Sequence, residues 1–159
     1  MRILVQRVHR ASVSVAGAEI AAIGPGLLLF VGFGTGDEPD SPAGRSWPTL
    51  LKKVLELRIF PDDQGKLNLG LTDWRDSQGS ILAVSQFTLY ADCRKGRRPS
   101  FHLAADPGLA RTLFERAVRD LQALWPGRVA SGVFGEEMDV SLVNWGPVTV
   151  WLDSEAFPG

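Results

Sequence analysis

Read from Met1, the chain is a succession of short apolar runs cut by glycine and proline. Residues 2–8, RILVQRV, read as a strand, and Ser12-Val13-Ser14-Val15 alternates with the period of two expected of a half-buried one. Gly17 marks a turn, after which 18–23 are predicted to return as a hairpin partner. Gly24-Pro25-Gly26 breaks the chain again ahead of LLLFVGF, 27–33, an apolar run suited to a strand covered on both faces. Residues 34–46, rich in Gly, Pro, Asp and Ser, read as loop, and Pro61-Asp62-Asp63-Gln64-Gly65 reads as a turn. SILAVSQFTLY, 80–90, is the strongest predicted strand of the middle region, and others are predicted at 129–134, 138–143 and 148–153.

Two stretches carry helical spacing. Trp47, Leu50, Leu51, Val54 and Leu57 predict a helix near 47–57. Pro48 admits a start at Ser46 or an earlier start with a kink; the late start is favoured, because proline in a helix interior lacks a donor and clashes with the turn before it. Asp106-Pro107 has the form of an N-cap followed by proline at the first helical position. Leu109, Leu113, Ala117, Leu121 and Leu124 then form one apolar stripe until Pro126-Gly127 ends it. Two helices among many mostly antiparallel strands predict an α+β fold, a curled sheet or barrel with the helices on one side. At 159 residues, without internal repeats, the chain suits a single domain spanning 1–159.

The chemistry narrows by elimination. A net charge of −1 advertises no nucleic acid globally, so any such site must be a local patch. The one cysteine, Cys93, excludes an internal disulfide and fits a reducing compartment. No apolar run reaches the ~18 residues of a membrane span, and Arg2, Arg7 and Arg10 are too frequent for a signal peptide. The expectation is a cytoplasmic protein without a membrane partner. The two histidines, His9 and His102, have no ligand-spaced companions, so no zinc or other metal site is expected. There is no nucleophile elbow and no phosphate loop, and Cys93, though beside Arg94 and Lys95, has no evident base. Asp62-Asp63 sits in a turn and reads as solvated.

Two features remain. In SQFTLYADCRKGRRPSF, 85–101, the polar residues Ser85, Gln86 and Thr88 interrupt an apolar strand, and four of the five residues 94–98 are basic: Arg94, Lys95, Arg97 and Arg98. Such a loop fits a solvated turn, or a grip on phosphates through charge and exposed backbone donors. The second feature is Gly146-Pro147, set between two strand-like segments where proline cannot donate to a ladder. By itself it fits an edge bulge or a loop mouth as well as a backbone element that meets a ligand.

Together these segments resemble the D-aminoacyl-tRNA deacylase family, proofreading hydrolases that free tRNA from D-amino acids. The resemblance runs from MRILVQRVHRASVSV to GPVTVWLDS. It is most specific at Ser85-Gln86-Phe87-Thr88-Leu89 and at Asn144-Trp145-Gly146-Pro147-Val148-Thr149, with support from LRIFPDDQGKLN and RKGRRPSF.

The resemblance implies a homodimer with two active sites at the subunit interface and a tRNA substrate, without a cofactor. In the family the Gly-Pro peptide is cis and reaches into the partner's site, so Gly146 and Pro147 would judge chirality with rigid main chain. An L side chain would collide there, a D residue would fit, and achiral glycine would pass. Arg7, matching the family's N-terminal QRV, would brace that segment. Ser85, Gln86, Phe87 and Thr88 would form the catalytic segment, with backbone N–H groups near Phe87 and Thr88 stabilising the ester's oxyanion. Thr88 is the obvious nucleophile candidate, yet no base stands near it in sequence. The family view that fits is participation of the tRNA's terminal 2′-OH, with Thr88 positioning or packing. Gly135 and Met138, in VFGEEM, would line the pocket of the terminal adenosine, and Arg94, Lys95, Arg97 and Arg98 would meet the acceptor stem. Glu136, where a small residue is common, and Trp145, where Asp or Asn is common, depart from the family pattern. Competing readings are an editing module for wrongly attached L-amino acids, a non-catalytic RNA-binding protein and, with least support because it would not need the phosphate patch, a free D-amino-acid hydrolase.

Overall fold

The computed structural model describes residues 1–38, 46–74 and 78–157. The expected loop over 34–46 lies largely outside them. The N-terminal strand β1 (Arg2–Val15) is continuous where two strands were read, and Ala16 and Gly17, both at positive φ, turn it into β2 (Ala18–Ile23). The order continues through β3 (Gly26–Gly32), α1 (Ser46–Glu56), a small hairpin of β4 (Phe60–Pro61) and β5 (Leu67–Leu69), β6 (Ser80–Ser85), α2 (Pro107–Leu124), β7 (Val129–Ser131) and β8 (Asp139–Asp153).

One edge of β1 pairs with β3 through residues 2–8 and with β2 through 11–15, while β8 runs antiparallel along its length. The β3–β6 and β6–β7 pairings are parallel, so the sheet is mixed. It curls nearly into a barrel, with two helices packed outside. The apolar run of β3 is buried on both faces for this reason. Leu27, Leu29 and Val31 pack with Leu50, Leu51, Val54, Leu113, Ala117 and Leu121 beneath the helices. Leu28 turns inward to meet Val8, Val13, Ile23, Leu82 and Val84. Alternate residues of a strand point to opposite faces, so one strand feeds both cores.

α1 carries Pro48 in its first turn, where its missing N–H has no partner to lose. Asp106 stands at the N-cap of α2, but its side chain makes no capping bond. Leu124, the last residue of the expected stripe, is 47% exposed; buried Trp125 closes that end, donating from Nε1 to Gly79 O at 3.2 Å.

Two strand expectations need correction. Residues 80–90 are not one strand: β6 stops at Ser85 and Phe87–Tyr90 is a 3-10 turn. Gln86 N makes a bond to Val31 O at 2.7 Å, and the chain then folds over the end of β3. Two glycines leave the room. A Cβ on Gly32 would lie 2.6 Å from Gln86 O, and one on Gly34 would lie 2.5 Å from the Tyr90 ring. Conversely, the strands expected at 138–143 and 148–153 merge into the single strand β8, which starts at Asp139. Gln6 pairs with Thr149 and Val8 with Asn144, so the four residues 145–148 oppose Arg7 alone. Gly146-Pro147 therefore stands on a wide bulge of a strand that, among the described residues, pairs only with β1.

Candidate active site

The bulge is held from three directions. Arg7 is 5% exposed; its Nε donates to Trp145 O at 2.8 Å, its Nη1 donates to Ile59 O, and its guanidinium lies 4.5 Å from the Trp145 ring centre. Burial pushes the Arg7 pKa down, but from a value so high that the group stays charged. Trp145 stacks on His9 at 4.7 Å and meets Trp74 and Phe60 edge-on at 5.7 and 6.2 Å. Asn144 clamps the far side: Oδ1 accepts from Val148 N at 2.8 Å, while Nδ2 donates to Gln6 Oε1 at 2.8 Å and to Val148 O at 3.1 Å. The Gly146–Pro147 peptide is cis, and both residues are exposed. Gly146 sits at φ +140°, and a Cβ on it would fall 2.8 Å from Val148 N and 3.1 Å from Arg7 Nη2. The position demands glycine twice over, by conformation and by space.

A second constellation lies at the end of β6. A cleft of about 440 Å³ is lined by Ser85, Gln86 and Phe87, by Val31 and Phe33, by Pro107 and Ala110 of α2, and by Phe134, Gly135, Glu136 and Met138. The fold thus gathers three of the four expected catalytic-segment residues with both expected adenosine-pocket residues. Thr88 stands outside the lining, exposed, and its Oγ1 accepts from Gln86 Nε2. As the first residues of a 3-10 turn, Phe87 and Thr88 present amides with no acceptor inside that turn. Phe87 is 54% exposed and meets Phe101 edge-on at 4.9 Å. Gly135 has φ +86°, with the Arg111 guanidinium beside it, so Arg111 flanks the cleft although no sequence pattern marked it. Glu136 lines the cleft while remaining exposed.

The basic loop is closed by a bridge between Asp92 and Ser100. Arg94 is engaged with Asp92 through Nε at 2.8 Å and Nη2 at 2.7 Å, which holds the Asp92 carboxyl far below the usual range. Lys95, Arg97 and Arg98 are exposed. His102 shares a hydrogen bond with Ser100 at 2.9 Å, and Cys93 is exposed. Among the described residues, no group of three or more His, Cys, Asp or Glu is placed to hold a metal, and no helix is long and apolar enough to cross a membrane.

The two constellations do not meet within one chain. Ser85 pairs through Val31 with the Ile3 level of β1, whereas the bulge stands at Arg7. That is about 13 Å along the strand, and β6 stands three strand spacings from β8, about 14 Å across the sheet. Neither Gly146 nor Pro147 lines the cleft.

The family model described as D-Tyr-tRNA(Tyr) deacylase matches residues 4–153. A protein of Solidesulfovibrio magneticus named D-aminoacyl-tRNA deacylase is 57% identical over 100% of this chain and 99% of its own. Another of that name from Nitratidesulfovibrio vulgaris is 54% identical over 99% and 96%. Among solved structures, the c-Myc DNA unwinding element binding protein superposes with a TM-score of 0.86 at 36% identity, covering 96% of this chain and 98% of its own. A probable eukaryotic D-amino acid tRNA deacylase, 19% identical over 95% and 97%, shares the fold with a TM-score of 0.78. With its sequence matched from the first strand to the last, the chain belongs to the D-Tyr-tRNA(Tyr) deacylase family.

Proposed function

We propose that this protein hydrolyses the ester between a D-amino acid and the terminal ribose of tRNA, as a homodimer whose Gly146-Pro147 bulge completes the cleft of a second copy. The deacylase activity follows from family membership. The dimeric site is supported above all by one observation: a rigid, exposed Gly-Pro bulge stands well away from the cleft of its own chain. Two copies exchanging bulges would bring fixed main chain against the substrate's α-carbon, where an L side chain collides and a D residue, or glycine, does not.

Ser85, Gln86 and Phe87 form the cleft wall around the reacting ester, and the amides of Phe87 and Thr88 are donors suited to its oxyanion. The Thr88 hydroxyl accepts from an amide that cannot take its proton, which favours positioning over nucleophilic attack. The nucleophilic chemistry then falls to the terminal 2′-OH of the tRNA and to water. Gly135 and Met138 receive the terminal adenosine, and Lys95, Arg97 and Arg98, with Arg94, face the acceptor stem. The place of action is the cytoplasm, where aminoacyl-tRNA is the substrate pool.

The deciding experiment compares single-turnover deacylation of D-tyrosyl-, L-tyrosyl- and glycyl-tRNA by purified protein of measured oligomeric state. D-tyrosyl- and glycyl-tRNA are expected to be cleaved, by a dimer, and L-tyrosyl-tRNA to survive. Equal cleavage of both enantiomers, or full activity in a monomer, would falsify the proposal. Thr88→Ala is expected to slow turnover without abolishing it. The name of the 36%-identical structure favours one second reading, nucleic-acid binding without turnover; binding of aminoacyl-tRNA with no cleavage would establish it.

A further inference from the structure

We infer that Arg2 is a positioning residue for the Phe87–Tyr90 turn, setting where Thr88 and the amides of Phe87 and Thr88 stand. The inference rests on the assignment of that turn to the active site. Arg2 Nε donates to Asp153 Oδ2 at 2.9 Å and Nη1 donates to Leu89 O at 3.0 Å. Its guanidinium carbon lies 4.2 Å from the Tyr90 ring centre and 5.8 Å from that of Trp151. One planar fork therefore ties the start of β1 and the end of β8 to the far end of the 3-10 turn.

The turn needs such a tie. Four residues of 3-10 helix hold themselves poorly, and the last carbonyls have no acceptor role inside the turn. Thr88 O accepts from Ala91 N at 3.0 Å, while Leu89 O is taken by Arg2. Tyr90 is buried, stacked under the guanidinium, and its hydroxyl donates to Asp37 Oδ2 at 3.3 Å. That carboxylate oxygen also accepts from Gly34 N at 2.7 Å, which fixes it to the chain just beyond β3. The turn is thus pinned at its exit by residues that do not line the cleft, while its entrance is pinned by Gln86 N on Val31 O. Arg2 does not line the cleft and acts on the reaction only through this placement. Lysine replaces it only in part. A point charge reaches either Asp153 or Leu89 O and does not lie flat on Tyr90.

The test is single-turnover deacylation of D-tyrosyl-tRNA at saturating enzyme by Arg2→Ala and Arg2→Lys, with tRNA affinity and amide hydrogen exchange over residues 86–91 measured beside it. Arg2→Ala is expected to slow the saturated rate about ten-fold, the size of losing a hydrogen bond to a charged group. Its tRNA affinity should stay within about two-fold, and the Ala91 amide should exchange faster. Arg2→Lys should restore only part of the rate. Asp153→Asn keeps Arg2 itself and should shift the rate in the same direction by less, which preserves the test if Arg2→Ala folds poorly. A wild-type saturated rate in Arg2→Ala overturns the inference, and so does a loss confined to affinity. Should the unaltered protein cleave no D-aminoacyl-tRNA, the functional reading itself fails. Exchange then decides the placement alone: unchanged protection over 86–91 overturns it, and lost protection upholds it.

Discussion

Asn144 holds the peptide groups of Val148 by both hands: its Oδ1 accepts from Val148 N at 2.8 Å and its Nδ2 donates to Val148 O at 3.1 Å. A side-chain amide here replaces the ladder partner that the four-residue excursion gives up. Asn144→Asp keeps the acceptor and exchanges the donor for an anion facing Gln6 Oε1 and Val148 O. The expected result is a destabilisation of about 1–3 kcal/mol in denaturant titration, with cleavage of L-tyrosyl-tRNA rising relative to D-tyrosyl-tRNA. Asn144→Ala, which brings no repulsion, should destabilise less.

Gly146→Ala places a methyl 2.8 Å from Val148 N, at a φ of +140° that an L residue resists. The bulge must then shift, and strain at such a position costs about 1–3 kcal/mol. Because Gly146 is exposed and lies outside both cores, the core should survive. The expected variant is folded by near-ultraviolet circular dichroism, binds tRNA, and has a D-to-L cleavage ratio close to one. A retained ratio would mean that chirality is judged elsewhere.

What was legible in the sequence was legible for physical reasons. Period-two alternation over residues 12–15 and the turn at Gly17 placed the second half of β1 and its return in β2. The unbroken apolar run of β3 announced a strand buried on both faces, as it is between Leu28 inside and Leu29 outside. The helical spacing of Leu50, Leu51 and Val54, and of Leu113, Ala117 and Leu121, returned both helices. Leu89 and Tyr90 misled, because an apolar run is blind to the glycines at and just beyond the end of β3 that let it fold back. The four-residue bulge was invisible as a register, since it is defined by pairing with Arg7 across 138 residues. Arg2 acts through partners remote in sequence, Asp153 and Leu89, and carried no local signal, while Asn144 reaches both distant Gln6 and Val148, four residues on, inside a segment marked only for its resemblance. The Arg94–Asp92 pair was within reach: two residues apart, on a loop read only for its basic charge.

Tyr90 is the only tyrosine of the chain, so tyrosinate absorbance reports on it alone. Burial, with Asp37 next, pushes its pKa far above 10, against a smaller opposing pull from Arg2. In the unfolded chain the phenol ionises near its ordinary value, about 10. Between that pH and the raised folded value, the native state holds a proton that the unfolded state has lost, so stability falls as pH rises. The folded protein should show no tyrosinate signal above pH 10 until it unfolds, and signal and unfolding should then appear together. Tyr90→Phe should flatten this alkaline loss of stability.

The basic loop makes a prediction about counting charges. A phosphate contact releases counterions, so each one lost lowers the slope of log affinity against log salt by about 0.7–0.9. Lys95, Arg97 and Arg98 are exposed, and each of Lys95→Ala, Arg97→Ala and Arg98→Ala should lower the slope for tRNA by about that amount if it meets a phosphate. Arg94 differs, because its fork already lies on Asp92 and little of its charge is left for a backbone. Arg94→Ala should therefore change the slope less than the other three, although it stands in the same run. The pairing also explains what Arg94 contributes instead: Asp92 accepts from both its backbone and side chain while bridging to Ser100, which closes the loop. Asp92→Asn should loosen that closure and free the Arg94 guanidinium at once, steepening the salt dependence and raising affinity most at low salt. An equal slope change from Arg94 and its three neighbours, measured by filter binding across a salt series, would show that the Asp92 pair opens when tRNA binds.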